Sequence, residues 1–400
     1  MRLPEGLAAM RRIWDEFCAP LARSLAAAAC GLLLGASGCR DLLGGSGSGG
    51  SRDWIEWKAP AGRLERFAWF GTPAADERRV YMEADSGAVA FDRATGQLAW
   101  LSPLKRWGGS RNTLLRGGAV FAAAGGEAPI YSLDAASGAV RWERYDLTAS
   151  DPSFARSAID DLSWYVGTRD LRVLALDPAT GATRWEARLA TDWLSQSVVR
   201  GLSVSGDTVY AAAERCLNQN CFEVAAVIVA LDRRGGGELW RWQSAGKHSN
   251  IMQSAVVSGR FLLGSDRIDN TFFAVDRFTG KEVWRAQGER GFAGPYGPPV
   301  VADGVVYAGM GDTRVYAADV ESGRVLWSAR TGSSILYVAV CGDYVLAHNQ
   351  ALEAIDRRTG KHAGKPVSGI GNELTVSNIQ VYGNRAYIAG TQYLYAIRCD

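Results

Sequence analysis

One motif returns seven times along the chain, and it limits the folds open to this sequence more than any other feature. Each copy reads apolar-Asp-x-x-Thr/Ser/Gly-Gly, beginning with Phe91–Gly96, and in the first six copies a tryptophan follows the last glycine by four residues. Consecutive aspartates are 37 to 55 residues apart. A repeat of this length with a turn in every unit is typical of propellers and other repeat arrays, whose units bury their faces against each other.

The repeated positions form three sets of residues, and we assign structural roles to all three. The turn aspartates are Asp92, Asp134, Asp177, Asp232, Asp276, Asp319 and Asp356. The turn glycines are Gly96, Gly138, Gly181, Gly280, Gly323 and Gly360. The tryptophans expected to pack between units are Trp57, Trp100, Trp142, Trp185, Trp240, Trp284 and Trp327. Their identical placement in each repeat favours turn chemistry and packing over catalysis or Ca²⁺ binding.

The repeat unit predicts four strands. An alternating strand such as Arg172–Leu176 precedes each aspartate. The aspartate can accept backbone N–H bonds and the glycine can take positive φ, so the motif predicts a hairpin loop. The strand that leaves the loop carries the tryptophan, and a further strand pair, such as Pro299–Ala302 and Val305–Gly309, lies upstream. Four strands in roughly 43 residues make one propeller blade.

The two ends of the chain complement each other. The C-terminal repeat stops after its third strand, Leu394–Arg398, and lacks a turn and a tryptophan strand. The missing strand matches Ile55–Ala59. We therefore predict an all-β fold, an eight-bladed β-propeller of four-stranded antiparallel blades, closed by an N-terminal strand that completes the last blade. An open solenoid or a smaller propeller remains the alternative.

Composition and charge narrow the function. Lys and Arg total 44 against 42 Asp and Glu, which argues against a nucleic-acid binder, since such proteins gain affinity by neutralising phosphates. Three histidines leave little room for a His-based metal centre, and we predict none. A glycine content of 47 residues fits a fold with many turns.

The first 52 residues predict an export signal and a tether. An apolar run, Leu25–Gly35, and the small residues 36–38 precede Cys39, an order that resembles the bacterial lipobox, in which the cysteine is lipidated. We predict a signal peptide over 1–38, lipidation at Cys39, a Gly/Ser tether over 39–52 and the propeller over 53–400. The residue after Cys39 is Arg40, whereas an aspartate there would favour retention in the inner membrane. We therefore expect the outer membrane as the location. An ordinary signal peptide is the alternative.

The other cysteines suggest disulfides in an exported protein. Cys216 and Cys221 flank a short segment in an insertion of the fourth repeat, and we expect them to close a hairpin tip. Cys341 and Cys399 should lie near one face of neighbouring blades. Whether they pair is left open, because the two could be too far apart radially.

The repeat, seen in full at Ala90–Trp100, resembles that of the pyrroloquinoline quinone (PQQ) propellers. This family includes PQQ-dependent dehydrogenases and non-enzymatic propellers, among them the BamB family of lipoproteins of the outer-membrane β-barrel assembly machinery. The dehydrogenases usually carry a vicinal Cys-Cys pair, which this sequence lacks. The resemblance implies the fold, whereas fold alone does not choose the function.

Together these features predict a non-catalytic, lipid-anchored propeller that acts as a protein-interaction scaffold. Its most specific version is BamB-like, at the periplasmic face of the outer membrane, with the barrel-assembly complex as partner, no catalytic residue, no cofactor and a monomeric ring. The alternatives are a PQQ-dependent dehydrogenase or small-ligand sensor, and a cell-surface carbohydrate or peptide binder.

Overall fold

The structure is a computed structural model. It describes residues 54–60, 72–84, 87–104, 112–123, 129–147, 157–168, 171–190, 197–245, 255–266, 268–289, 297–332, 337–348, 351–364, 367, 370, 378–390 and 392–400. The predicted signal peptide, Cys39 and the tether lie outside these residues and stay predictions. The described residues contain no helix and form antiparallel sheets, in which strands pair with their neighbours in sequence except that β1 pairs with β31.

Each sheet is one blade of a propeller, and the strands run from the inner to the outer edge in chain order. The first four blades are blade one with β2 (Ala74–Ala75), β3 (Arg79–Ala84), β4 (Gly87–Asp92) and β5 (Leu98–Pro103); blade two with β6 (Leu114–Arg116), β7 (Ala119–Ala123), β8 (Ile130–Asp134) and β9 (Val140–Arg144); blade three with β10 (Ala158–Ile159), β11 (Trp164–Gly167), β12 (Arg172–Leu176) and β13 (Thr183–Arg188); and blade four with β14 (Val198–Ser205), β15 (Thr208–Cys216), β16 (Val224–Asp232) and β17 (Glu238–Gln243). The next three are blade five with β18 (Val256–Ser258), β19 (Phe261–Asp266), β20 (Thr271–Asp276) and β21 (Glu282–Gln287); blade six with β22 (Val300–Ala302), β23 (Val305–Met310), β24 (Arg314–Asp319) and β25 (Val325–Arg330); and blade seven with β26 (Tyr337–Cys341), β27 (Tyr344–His348) and β28 (Leu352–Asp356).

Blade eight is built from both ends of the described chain. It holds β29 (Gln380–Tyr382), β30 (Arg385–Ala389), β31 (Tyr393–Arg398) and, as its outer strand, β1 (Ile55–Pro60). In the antiparallel pairing of β1 with β31, Ile55 lies opposite Ile397. The inner strands β2 and β29 also lie side by side. The predicted eight-bladed ring, closed by an N-terminal strand, is confirmed.

Blade seven departs from the four-stranded expectation within the described residues. Beyond β28 there is an isolated bridge between Ile355 and His362 and a hydrogen bond of 2.8 Å from the Ala363 N–H to the Ala354 carbonyl. The next residue is Gly364, where other repeats have tryptophan, and its φ is 132°. Glycine loses more entropy than other residues when it joins a strand and has no side chain to pack, so the outer edge forms scattered bonds rather than a regular strand.

The two ends of the blades differ in their connections. One end, which we call the turn face, carries the turns between first and second strands and between third and fourth strands. The other end, the crossover face, carries the second-to-third-strand connections. The core lies between blades: Tyr165 and Trp185 of blade three, for example, share a buried cluster with Val209 and Val229 of blade four.

Candidate functional site

The repeat aspartates lie on the turn face, where each serves its own turn. In blade one, an oxygen of Asp92 accepts hydrogen bonds from the backbone N–H groups of Ala94 and Thr95 at 3.0 and 2.8 Å and from the Thr95 hydroxyl at 2.8 Å. This hydroxyl is the main cause that holds the pKa of Asp92 below its usual value. In blade two, hydrogen bonds from Arg141 and, next in size, from Ser137 of the turn lower the pKa of Asp134 to about 2. Carboxylates held ionised in this way are poor general bases at neutral pH.

The turn glycines are where neighbouring blades come closest. All seven, Gly96, Gly138, Gly181, Gly236, Gly280, Gly323 and Gly360, have φ between 70° and 75°. A Cβ added at any of them would lie 2.6 to 2.8 Å from an indole ring of the preceding blade. Glycine is therefore required twice, for the left-handed backbone and for the close approach of the ring.

The tryptophans complete this joint with a hydrogen bond. In each of seven joints the indole N–H donates to a backbone carbonyl of the next blade's turn at 2.9 to 3.1 Å: Trp57 to Arg93, Trp100 to Ala135, Trp142 to Pro178, Trp185 to Arg233, Trp240 to Arg277, Trp284 to Val320 and Trp327 to Arg357. Each indole ring stacks on a turn glycine and donates a hydrogen bond to a turn carbonyl. These two contacts explain why tryptophan and glycine recur at a fixed spacing.

The eighth joint, between blades seven and eight, is built differently. Blade seven has Gly364 at the position that tryptophan occupies in the other repeats. In blade eight no turn joins the third and fourth strands, because β31 and β1 come from opposite ends of the described chain. The structure instead pairs Cys341 with Cys399, with a Cα–Cα distance of 4.8 Å. Trp54 packs edge-on against Tyr344 at 5.0 Å between ring centroids. We call this disulfide and ring pair the seam.

The fourth repeat carries the second disulfide. Cys216 and Cys221 are bonded across the tip of the hairpin formed by β15 and β16, with a Cα–Cα distance of 4.9 Å. This segment, residues 216–223, is the stapled tip. It lies at the crossover face, because it connects a second to a third strand. Phe222, which directly follows the disulfide, is 75% exposed.

A cavity of about 470 Å³ opens at the turn face between blades three and four. Trp185, Arg184 and Arg233 are among its lining residues. Arg184 is bonded to Asp177 at 2.6 Å and Arg233 to Asp160 at 3.2 Å. These two guanidinium groups are already paired, so the cavity offers an anion little net attraction from them.

We examined the histidines and the possible metal ligands in the part of the chain that the structure describes. That part holds no group of three or more His, Cys, Asp or Glu side chains placed to bind a metal ion. His348 is fully buried, and burial lowers its pKa to about 4. His362 lies between the Glu353 carboxylate, at 3.3 Å, and the Arg330 carbonyl, at 2.8 Å. The same residues include no helix that could span a membrane.

The structure places every sequence-predicted site residue except Cys39, which lies outside the described residues. It brings the turn aspartates, glycines and tryptophans together at the blade joints and forms both disulfides. Trp54, Tyr344 and Phe222 are not among the residues predicted from the repeat pattern. A signal existed for Trp54, since it lies three residues before Trp57 in the strand-forming N-terminal segment.

The fold of this ring is similar to that of several solved structures. BamB from Moraxella catarrhalis is 16% identical with a TM-score of 0.64, and the match covers 86% of this chain and 97% of that one. The quinohemoprotein alcohol dehydrogenase from Comamonas testosteroni is 15% identical with a TM-score of 0.69, covering 86% and 76%. The computationally designed Ika8 protein is 16% identical with a TM-score of 0.64, covering 85% and 98%. At these identities the likeness shows the fold alone.

Sequence comparison is more selective than fold comparison. No curated protein sequence matches the chain. A family model described as "Outer membrane protein assembly factor BamB" matches residues 47–220 and 224–398, which together span almost the whole ring. On this match the chain belongs to the family of outer membrane protein assembly factor BamB.

Proposed function

We propose that this chain is a lipid-anchored, non-catalytic scaffold at the periplasmic face of the outer membrane, where it binds components of the β-barrel assembly machinery. The observation that carries the proposal is the family match across both halves of the propeller. The anchor would be a lipid on Cys39, followed by a tether whose Gly/Ser segment of eight residues, 44–51, has a root-mean-square span of roughly 15 Å.

The chemistry of the ring supports a binding role. Its repeated carboxylates and indoles are engaged in turns and blade joints, so the residues that recur in each repeat serve the scaffold. Its two disulfides fit an oxidising compartment such as the periplasm. A rigid ring that exposes an aromatic side chain at a stapled tip is suited to protein contacts.

The second candidate is a PQQ-dependent dehydrogenase, which the likeness to quinohemoprotein alcohol dehydrogenase favours. Purified protein would be incubated with PQQ and Ca²⁺ and assayed for dye-linked oxidation of alcohols and sugars. A scaffold gives no turnover above that of a heat-denatured control. Turnover that depends on PQQ would overturn the non-catalytic proposal.

Affinity capture tests the scaffold role directly. The tagged chain is recovered from detergent-solubilised membranes, and the expected result is co-purification of the barrel-assembly core. The matched variant Cys39→Ser should lose its membrane attachment and appear in the soluble fraction, while its propeller folds as before. Recovery without the assembly core, or membrane attachment that survives Cys39→Ser, would contradict the corresponding half of the proposal.

A further inference from the structure

The middle hairpin of blade four is longer than its counterparts. β15 and β16 contain nine residues each, whereas the second and third strands of the other blades contain four to six. The two strands stay paired up to the tip, where Cys216, the last residue of β15, lies opposite Val224, the first residue of β16. The extra length therefore carries the stapled tip outward at the crossover face.

The stapled tip is held in one conformation by several independent bonds. Besides the disulfide, the Asn218 side-chain carbonyl accepts hydrogen bonds from the N–H groups of Phe222 and Glu223 at 3.1 and 3.4 Å. The Leu217 N–H donates to the Glu223 carbonyl at 2.8 Å. A tip fixed in this way loses little conformational entropy when it binds.

Phe222 is the most exposed large apolar side chain of the described residues, at 75%. The residues between the two cysteines, Leu217–Asn220, are one leucine and three uncharged amides. An exposed aromatic ring on a conformationally fixed tip is typical of the anchor residues that carry binding energy in protein interfaces. Burial of this exposed phenyl group against a partner would remove its apolar area from water, which is favourable.

The composition of the tip favours a protein partner over a membrane. Residues 216–223 lack the Lys, Arg, Trp and Tyr that bind bilayer surfaces, and they carry one acidic residue, Glu223. A soluble protein domain is therefore the partner that fits the tip.

We propose that the stapled tip is a docking knob that inserts Phe222 into an apolar socket on a soluble domain of an envelope protein. This rests on the proposed function, which supplies the barrel-assembly complex as the partner to test.

The test uses the mature full-length chain with its disulfides intact and the purified barrel-assembly complex from which this chain is absent. Binding is measured by surface plasmon resonance. Phe222→Ala should weaken binding about 10- to 100-fold, in the range of a hot-spot aromatic. The matched control is Phe278→Ala, which removes a phenyl ring 66% exposed in a turn-face loop and should bind like wild type.

Two further arms separate the outcomes. Replacing Cys216 and Cys221 by alanine keeps Phe222 but releases the staple, and a several-fold loss of affinity is expected. Vesicles of phosphatidylethanolamine and phosphatidylglycerol should not bind the unlipidated chain through Phe222. Wild-type affinity in Phe222→Ala, or vesicle binding that Phe222→Ala abolishes, would overturn the knob and leave the proposed function standing. No binding of the wild-type chain to the complex would overturn the proposed function and the knob with it.

Discussion

The seam disulfide should be worth more to the ring than the disulfide at the stapled tip. Cys341 and Cys399 are separated by 58 residues, and a cross-link of that span restricts the unfolded chain by about 4 kcal/mol in the chain-entropy estimate. The bond between Cys216 and Cys221 spans 5 residues, for which the same estimate gives about 2 kcal/mol. Removal of the seam disulfide should therefore cost roughly twice as much free energy of unfolding.

The perturbation is a pair of double variants, Cys341→Ala with Cys399→Ala against Cys216→Ala with Cys221→Ala. Unfolding in guanidinium chloride, followed by tryptophan fluorescence, gives the change in midpoint and slope for each. Hydrogen exchange on the same samples should show the loss of protection concentrated in β26 and β29 to β31 for the seam variant, because no tryptophan joint holds those blades together.

Two results would refute this reasoning. If the tip variant lost as much stability as the seam variant, the span of the cross-link would not govern its effect. If protection fell evenly around the ring, the seam would not be a distinct joint. If the seam variant unfolds in one cooperative step with unchanged slope, the size of its midpoint shift still shows whether it loses more stability than the tip variant.

Three further predictions address the blade joints and the titrating groups. Gly138→Ala should destabilise the fold by more than Gly117→Ala, because both have positive φ but only at Gly138 would a Cβ strike the ring of Trp100; thermal unfolding compares them, the Gly117 change costing about 1 kcal/mol. Asp134 has its pKa lowered from 3.8 to about 2, so its contribution to stability is present above pH 3.8 and is lost as the pH falls towards 2; Asp134→Asn should flatten the acid end of the stability profile, and an unchanged profile would contradict the assignment. His348 is buried with its pKa lowered from 6.5 to about 4, so stability should fall as the pH drops from 6.5 to 4; His348→Gln should remove that fall, which chemical unfolding at fixed pH steps would detect.

The sequence predicts the blades well because every repeat encodes its own turn and joint. Asp92, Gly96 and Trp100 act within one blade and its immediate neighbour, so their spacing carries the information directly. The repeat pattern also identifies the strand that closes the ring, since Ile55–Ala59 matches the outer, tryptophan-bearing strand of the other blades. In each case a local rule is repeated until it specifies the ring.

Other features depend on geometry that no repeat encodes. The pairing of Cys341 with Cys399 requires the radial position of two strands in neighbouring blades, which spacing along the chain does not give. The irregular edge of blade seven is signalled only by Gly364 in place of tryptophan. For the stapled tip, the insertion predicts a longer hairpin, whereas the exposure of Phe222 requires its three-dimensional surroundings.

Blade eight makes closure of the ring depend on both ends of the described chain. β1 cannot pair until β31 has been made, because Ile55 pairs with Ile397. Blades one to seven can stack in the meantime through successive tryptophan joints, each of short sequence separation. Closure is then a single late step that couples strand pairing to oxidation of Cys399. A variant that lacks β31 would leave β1 without its partner strand and would uncover the side of blade one that packs against Leu394 and Ala396.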